Sequence, residues 1–140
     1  MDNVYRGRCH CGAIRYEYTT ASVPGEWSVR SCQCSFCRAH GSICTSDPDG
    51  QIRFVFDEPG QLSRYRFGLR TADFLLCRRC GVYIGAMIER SGRKFGIICT
   101  NALDSRPEQL PAARPMTYDA EATGDRVQRR IERWTPVIDG

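Results

Sequence analysis

Cys9-His10-Cys11-Gly12-Ala13-Ile14-Arg15-Tyr16-Glu17-Tyr18, residues 9–18, changes character half-way. Ile14, Tyr16 and Tyr18 alternate with Arg15 and Glu17, the period of two that sets one face of a strand on a core and the other in water. Just ahead, Cys9 and Cys11 are one residue apart. On an extended chain such residues project to the same side, so both sulfurs can converge on one ion while His10 points away.

The alternation recurs along the chain. Trp27/Val29 are followed by Ile52/Phe54/Phe56, Tyr65/Phe67, Tyr83 to Ile88 and Phe95 to Cys99. Between them stand Asp47-Pro48-Asp49-Gly50, Asp57-Glu58-Pro59-Gly60 and Ser91-Gly92, all rich in turn formers. Short strands punctuated in this way predict an all-β fold of antiparallel sheets. Pro107, Pro111 and Pro115 predict an irregular surface strap over residues 104–120. Asp125 is expected to cap a last helix with Gln128 at its third position, and Val127, Ile131 and Trp134 then share the face that docks on the sheets. The expected organisation is a zinc-binding domain over residues 1–104 and a C-terminal segment, 105–140, packed on it.

The 140 residues suit one domain with a core that needs no staples. The N-terminal stretch lacks a basic-then-apolar signal profile, and no apolar run approaches the ~18 residues of a membrane span. The expectation is a cytoplasmic protein with reduced thiols. Nine cysteines, seven of them at C-x-C and C-x-x-C spacings, then point to metal rather than disulfides.

Cys77-Arg78-Arg79-Cys80-Gly81 has the knuckle spacing in which a tight turn presents two sulfurs, with Gly81 allowing the backbone to close. Cys9, Cys11, Cys77 and Cys80 make one tetrahedral set. Cys32-Gln33-Cys34-Ser35-Phe36-Cys37 merges both spacings and offers three thiolates. Structural zinc is normally closed by four protein ligands, whereas catalytic zinc keeps a position open. Seven cysteines divided four and three therefore predict two Zn²⁺ ions, one structural and one open and exchangeable. An all-structural arrangement would need a fourth ligand from His10 or His40. Cys44 and Cys99, outside the clusters, read as buried small hydrophobes.

The formal charge is +4. Seven thiolates against two Zn²⁺ would bring it to about +1, which removes the electrostatic footing for a nucleic-acid partner. Of the 20 basic residues all but Lys94 are arginine, the better fork for a carboxylated small molecule.

Gly7-x-Cys9-His10-Cys11-Gly12-Ala13-Ile14-x-Tyr16, Cys32-x-Cys34-Ser35-x-Cys37-Arg38, Cys77-x-x-Cys80-Gly81 and Leu103-Asp104 together resemble the glutathione-dependent formaldehyde-activating enzyme / centromere protein V family over roughly residues 5–104. The resemblance implies antiparallel sheets with two zinc ions, the closed one at Cys9, Cys11, Cys77 and Cys80 and the open one at Cys32, Cys34 and Cys37. It also implies a carbon–sulfur lyase activity that joins glutathione and formaldehyde reversibly into S-hydroxymethylglutathione. Gln33 departs from the family's usual Cys-His-Cys and cannot titrate near neutral pH.

On this reading Cys32, Cys34 and Cys37 carry the chemistry by holding a zinc that activates a substrate thiol. Arg38, inside the motif, is the candidate for binding substrate, with Arg64, Arg66, Arg70, Arg78 and Arg79 as further candidate carboxylate clamps. Zinc with three thiolates is a weak Lewis acid, which suits a thiol carrier better than a hydrolase. The expected partners are a small thiol such as glutathione and an aldehyde, with no membrane. The rival readings are a non-catalytic zinc module that binds a protein or nucleic acid, and a thiol-redox or metal-storage protein.

Overall fold

A computed structural model of the chain describes residues 2–118 and 120–138. Residues 119, 139 and 140, within the expected strap and C-terminal segment, lie outside the described residues. The fold is all-β, with two sheets and one helix longer than two turns.

The smaller sheet joins β1 (Asn3–Arg8), β2 (Ile14–Thr20) and β5 (Gln51–Phe56), all antiparallel. In β2 the alternation is realised residue by residue: Ile14, Tyr16, Tyr18 and Thr20 are buried, while Arg15, Glu17 and Thr19 are partly exposed. The larger sheet is built from β3 (Val29–Cys32), β4 (Cys44–Thr45), β6 (Leu62–Tyr65), β7 (Asp73–Cys77), β8 (Tyr83–Arg90) and β9 (Arg93–Cys99). Its spatial order is β3-β4-β9-β8-β7-β6. Ser91 and Gly92 both take positive φ, +53° and +78°, the conformation that a two-residue β8–β9 hairpin requires.

Two apolar layers result. Ile14, Tyr16, Tyr18 and Ile52 of the small sheet meet Val29, Leu75, Ile84 and Ile98 of the large one. Phe74, Tyr83, Ala86, Phe95 and Ile97 line the opposite face of the large sheet. That face is covered by α1 (Ser35–His40) through Phe36 and by α2 (Thr123–Arg133) through Ile131 and the following Trp134. A sheet buried on both faces explains why β8 reads as a nearly continuous apolar run. A Cβ at Gly85 or Gly96 would press on the Phe54 ring at 3.2 and 3.3 Å, so these glycines let the small sheet sit close.

The structure corrects three local expectations. Cys9 and Cys11 are not on an extended chain: they occupy the β1–β2 turn, where Gly12 N–H donates to the Cys9 carbonyl at 3.1 Å and Gly12 takes φ +85°. The strap is not wholly irregular. Within it β10 (Arg114–Met116) pairs parallel with β3, and Pro115 is tolerated because the strand lies at the sheet edge. Asp125 does not cap α2, since the helix begins two residues earlier, with Ala122 at the cap and Asp125 in the first turn. Trp27 and Phe67 fall just outside β3 and β6. After α2, β11 (Thr135–Pro136) returns to the sheet beside β9.

Candidate metal centres and the adjoining cavity

The β1–β2 turn and the turn after β7 meet edge to edge. There the sulfurs of Cys9, Cys11, Cys77 and Cys80 all lie within 4.8 Å of one another. Cys9 Sγ is 3.8 Å from Cys11 Sγ, which is 3.5 Å from Cys77 Sγ. A tetrahedral zinc with Zn–S bonds of ~2.3 Å needs S–S edges of roughly 3.8 Å, so the spacing fits that ion. Backbone donors already favour thiolates: Ile14 N–H points at Cys9 Sγ and Cys80 N–H at Cys77 Sγ, both at 3.4 Å. Gly81, at φ +79°, closes the knuckle as its spacing predicts.

The proton inventory of this cluster is uneven. Burial pushes the Cys77 thiol up to about 11. Burial also opposes ionisation of Cys80, but the N–H groups of Val82 and Cys11 and the thiols of Cys77 and Cys9 outweigh it, bringing Cys80 to about 6. Cys11 is lowered chiefly by the Ala13 N–H.

The second cluster forms where β3 passes into α1. The sulfurs of Cys32, Cys34 and Cys37 again lie within 4.8 Å of one another, and no His, Asp or Glu of the described residues joins them. Cys34 is the N-cap of α1, with Cys37 N–H donating to its sulfur at 3.4 Å. Gly41, in the left-handed conformation, ends the helix after a single turn and a half. The sequence reading missed α1; its signals were Arg38 and His40 in a last turn followed by glycine. A hydrogen bond from the Cys37 thiol brings Cys32 down to about 5, and the same bond, with burial, drives Cys37 far up. Burial also raises Cys34. Three touching thiols cannot all ionise unaided, whereas a divalent cation would let them, so the donor set fits a thiolate-bound metal.

The two clusters differ in what they face. Cys32, Cys34 and Cys37 line a cavity of about 110 Å³, whose walls include Phe67, Phe74, Tyr83 and Trp134. None of the four cysteines of the other cluster lines it. A wider groove of about 350 Å³, along Arg64, Arg66, Asp73 and Glu89, holds no thiol.

His40 is exposed and sets its ring tilted against Phe36, centroids 4.6 Å apart, while His10 is exposed in its turn; neither joins a cluster. Cys44 and Cys99 are buried and face each other across β4 and β9, Sγ to Sγ 3.7 Å. Arg38 is exposed on α1 and is not among the cavity residues. Arg64 and Arg66 pair with Asp73, and Arg79 forks onto Glu58 at 2.7 and 3.0 Å. The cavity presents other arginines, Arg30, Arg126, Arg129 and Arg130, which the sequence reading did not single out because they lie outside the cysteine motifs. Gln33 is exposed, and its side-chain amide donates to the Ser31 carbonyl at 3.0 Å, outside the cavity lining.

A family model described as glutathione-dependent formaldehyde-activating enzyme matches residues 4–119. The chain belongs to that family. A crystal structure offers a comparison: a protein of Rhodobacter sphaeroides, solved by structural genomics, is similar to this chain at 30% identity with a TM-score of 0.59. The likeness covers 79% of this chain and 99% of that one. The family match takes in both cysteine clusters and stops short of α2, which begins at Thr123. No helix among the described residues is long and apolar enough to cross a membrane.

Proposed function

We propose that this chain is a zinc-dependent carbon–sulfur lyase-type enzyme that interconverts a small thiol and an aldehyde with their adduct, as glutathione and formaldehyde form S-hydroxymethylglutathione. The observation that carries this reading is the asymmetry of the two clusters: three thiols open onto a cavity and four are closed on themselves. The family description names glutathione and formaldehyde, which supports that substrate pair.

In this reading Cys9, Cys11, Cys77 and Cys80 hold a structural Zn²⁺, and Cys32, Cys34 and Cys37 hold a second. A Zn²⁺ bound by three thiolates supplies positive charge that favours the ionised form of a substrate thiol. In the forward direction the thiol sulfur forms a bond to the aldehyde carbon, the carbonyl π bond breaks, and the thiol proton ends on the new hydroxyl oxygen. The reverse breaks the carbon–sulfur bond and returns that proton to sulfur. Phe67, Phe74 and Trp134 give the cavity an apolar wall, which strengthens charge interactions beside it. Gln33, folded onto Ser31, removes a titratable group from the usual histidine position without altering the cavity wall.

Exchange spectroscopy by NMR on a glutathione–formaldehyde equilibrium tests the proposal. The zinc-loaded protein should accelerate adduct exchange well above the uncatalysed rate, and Cys34→Ser should abolish the gain. Exchange at the uncatalysed rate in the loaded parent would sink the lyase reading and leave a non-catalytic zinc module.

A further inference from the structure

The arginines around the cavity fall into two pairs. Arg129 forks onto Glu121 at 2.7 and 3.0 Å, and Arg126 Nε lies 3.4 Å from the same carboxylate, so these two share one counter-charge. Arg30 and Arg130 make no direct ion pair with a carboxylate among the described residues, Glu121 acting on Arg130 only at longer range. Arg30 donates to Ser46 Oγ and Arg130 to Thr71 Oγ1, both at 2.6 Å.

Arg130 is 8% exposed, lies with its guanidinium 4.8 Å from the Trp134 ring centre, and has its Nε–H buried without a hydrogen-bond partner. Tyr83, 4% exposed on β8, has its Oη buried beside the Cys44 and Cys99 thiols. Both residues line the cavity that holds the three thiols. Burial draws Arg130 down to about 10, so it is still a cation at neutral pH. A buried charge without a carboxylate in hydrogen-bond reach is costly, and an unpaired buried donor adds to that. Fastening α2 to the sheet needs only the Thr71 bond and the Trp134 stack; it does not account for the idle Nε–H.

An anion supplies what Arg130 lacks, and the Tyr83 phenol stands on the same cavity wall. A carboxylate accepts in the plane of a guanidinium fork and takes a further bond from a phenol. The cavity, at about 110 Å³, is smaller than the ~150 Å³ hole that admits benzene but opens to the surface, so it has room for an acid group with a few carbons while the rest of a longer molecule such as a tripeptide stays outside. We propose that Arg130 and Tyr83, with Arg30 at the rim, form a carboxylate subsite that seats the acid group of a short substrate beside Cys32, Cys34 and Cys37. Arg130 belongs to α2, beyond the residues that the family model matches, so the selectivity belongs to this chain's own C-terminal segment. The placement rests on the lyase reading, and the acid group can be carried by the thiol or by the aldehyde.

The test uses the full-length, zinc-loaded protein. Propionate, which has neither thiol nor carbonyl, is titrated while the Arg130 Nε–H and Trp134 indole resonances are followed. Both should shift saturably in the parent, with affinity about tenfold weaker in Arg130→Lys and reduced in Tyr83→Phe, which keeps the ring and so guards against a folding artefact. Adduct exchange is then compared for 3-mercaptopropionate against 2-mercaptoethanol, and for glyoxylate against formaldehyde. Preference for the first member of one pair assigns the acid group to thiol or aldehyde. Propionate that moves neither resonance and inhibits no exchange overturns the subsite while leaving the lyase reading intact. Propionate that binds at Arg130, with no exchange accelerated for any pair, upholds an anion subsite and overturns the lyase reading.

Discussion

Cys11 and Cys77 are 66 residues apart in the chain, yet their sulfurs stand 3.5 Å from each other. Their contact clamps the turn of the small sheet to the knuckle at the end of β7 in the large one. Structural zinc in small peptides contributes about 10–16 kcal/mol of apparent binding energy, comparable to or above the whole stability of a domain. Cys80→Ser should therefore unfold the chain globally and release both ions. Cys34→Ser should lose one zinc per chain and keep the native circular dichroism spectrum. Metal analysis on purified variants reads both, and equal collapse of the two would overturn the division of roles.

Tyr16 ties the same two sheets together in the core. Its ring passes over Gly7, and its hydroxyl donates to the Cys99 carbonyl at 2.7 Å from a fully buried position. Tyr16→Phe leaves that acceptor short of a partner and should cost about 1–3 kcal/mol in urea unfolding. Gly7→Ala should cost more, because the added methyl collides with the Tyr16 ring, which cannot move without giving up the bond. An unchanged urea midpoint in Tyr16→Phe would show that the bond contributes nothing net.

The strands that alternate were legible from sequence because one of their faces is wet: β2 and β5 show their period plainly. β7 was not, since Phe74, Leu75 and Cys77 are all buried between two covered faces and the period vanishes. The Cys32/Cys34/Cys37 cluster and the two halves of the other could be read from spacing, because each is local, and counting to four joined Cys9 and Cys11 to Cys77 and Cys80. The arginines of the cavity could not, as Arg30 and Arg130 are a hundred residues apart and only the return of α2 onto the large sheet brings them together. Asp125 misled because a capping motif competes with neighbours that extend the helix: Thr123 and Gly124 add two residues before it.

Zinc uptake at the open cluster should depend on pH with a definite slope. Cys32, at about 5, is already a thiolate near neutrality, whereas Cys37 and Cys34 are raised and still hold their protons. Binding requires thiolates, so each Zn²⁺ displaces protons from those two and affinity rises with pH, by about two log units per pH unit between roughly pH 6 and 8. Calorimetry in buffers of different ionisation enthalpy counts the protons released, with Cys34→Ser as the reference for the other site. Release of three protons, or of none, would contradict the shared-proton arrangement of Cys32 and Cys37.

Trp134 ends α2 and seals the far face of the large sheet at 5% exposure, beneath the Arg130 guanidinium. Trp134→Ala removes the largest side chain of that layer and should cost about 3–5 kcal/mol, a large share of the 5–15 kcal/mol typical of a domain. Val137 meanwhile packs against the inter-sheet core, and its N–H donates to the Lys94 carbonyl at 2.9 Å. The segment after residue 104 thus closes both apolar layers, and residues 1–104 and 105–140 should unfold as one unit. A chain ending at residue 104 should bare Phe74, Phe95 and Ile97, bind a hydrophobic dye and lose its sharp thermal transition. A soluble truncated chain with a cooperative transition would instead make residues 105–140 an independent appendage.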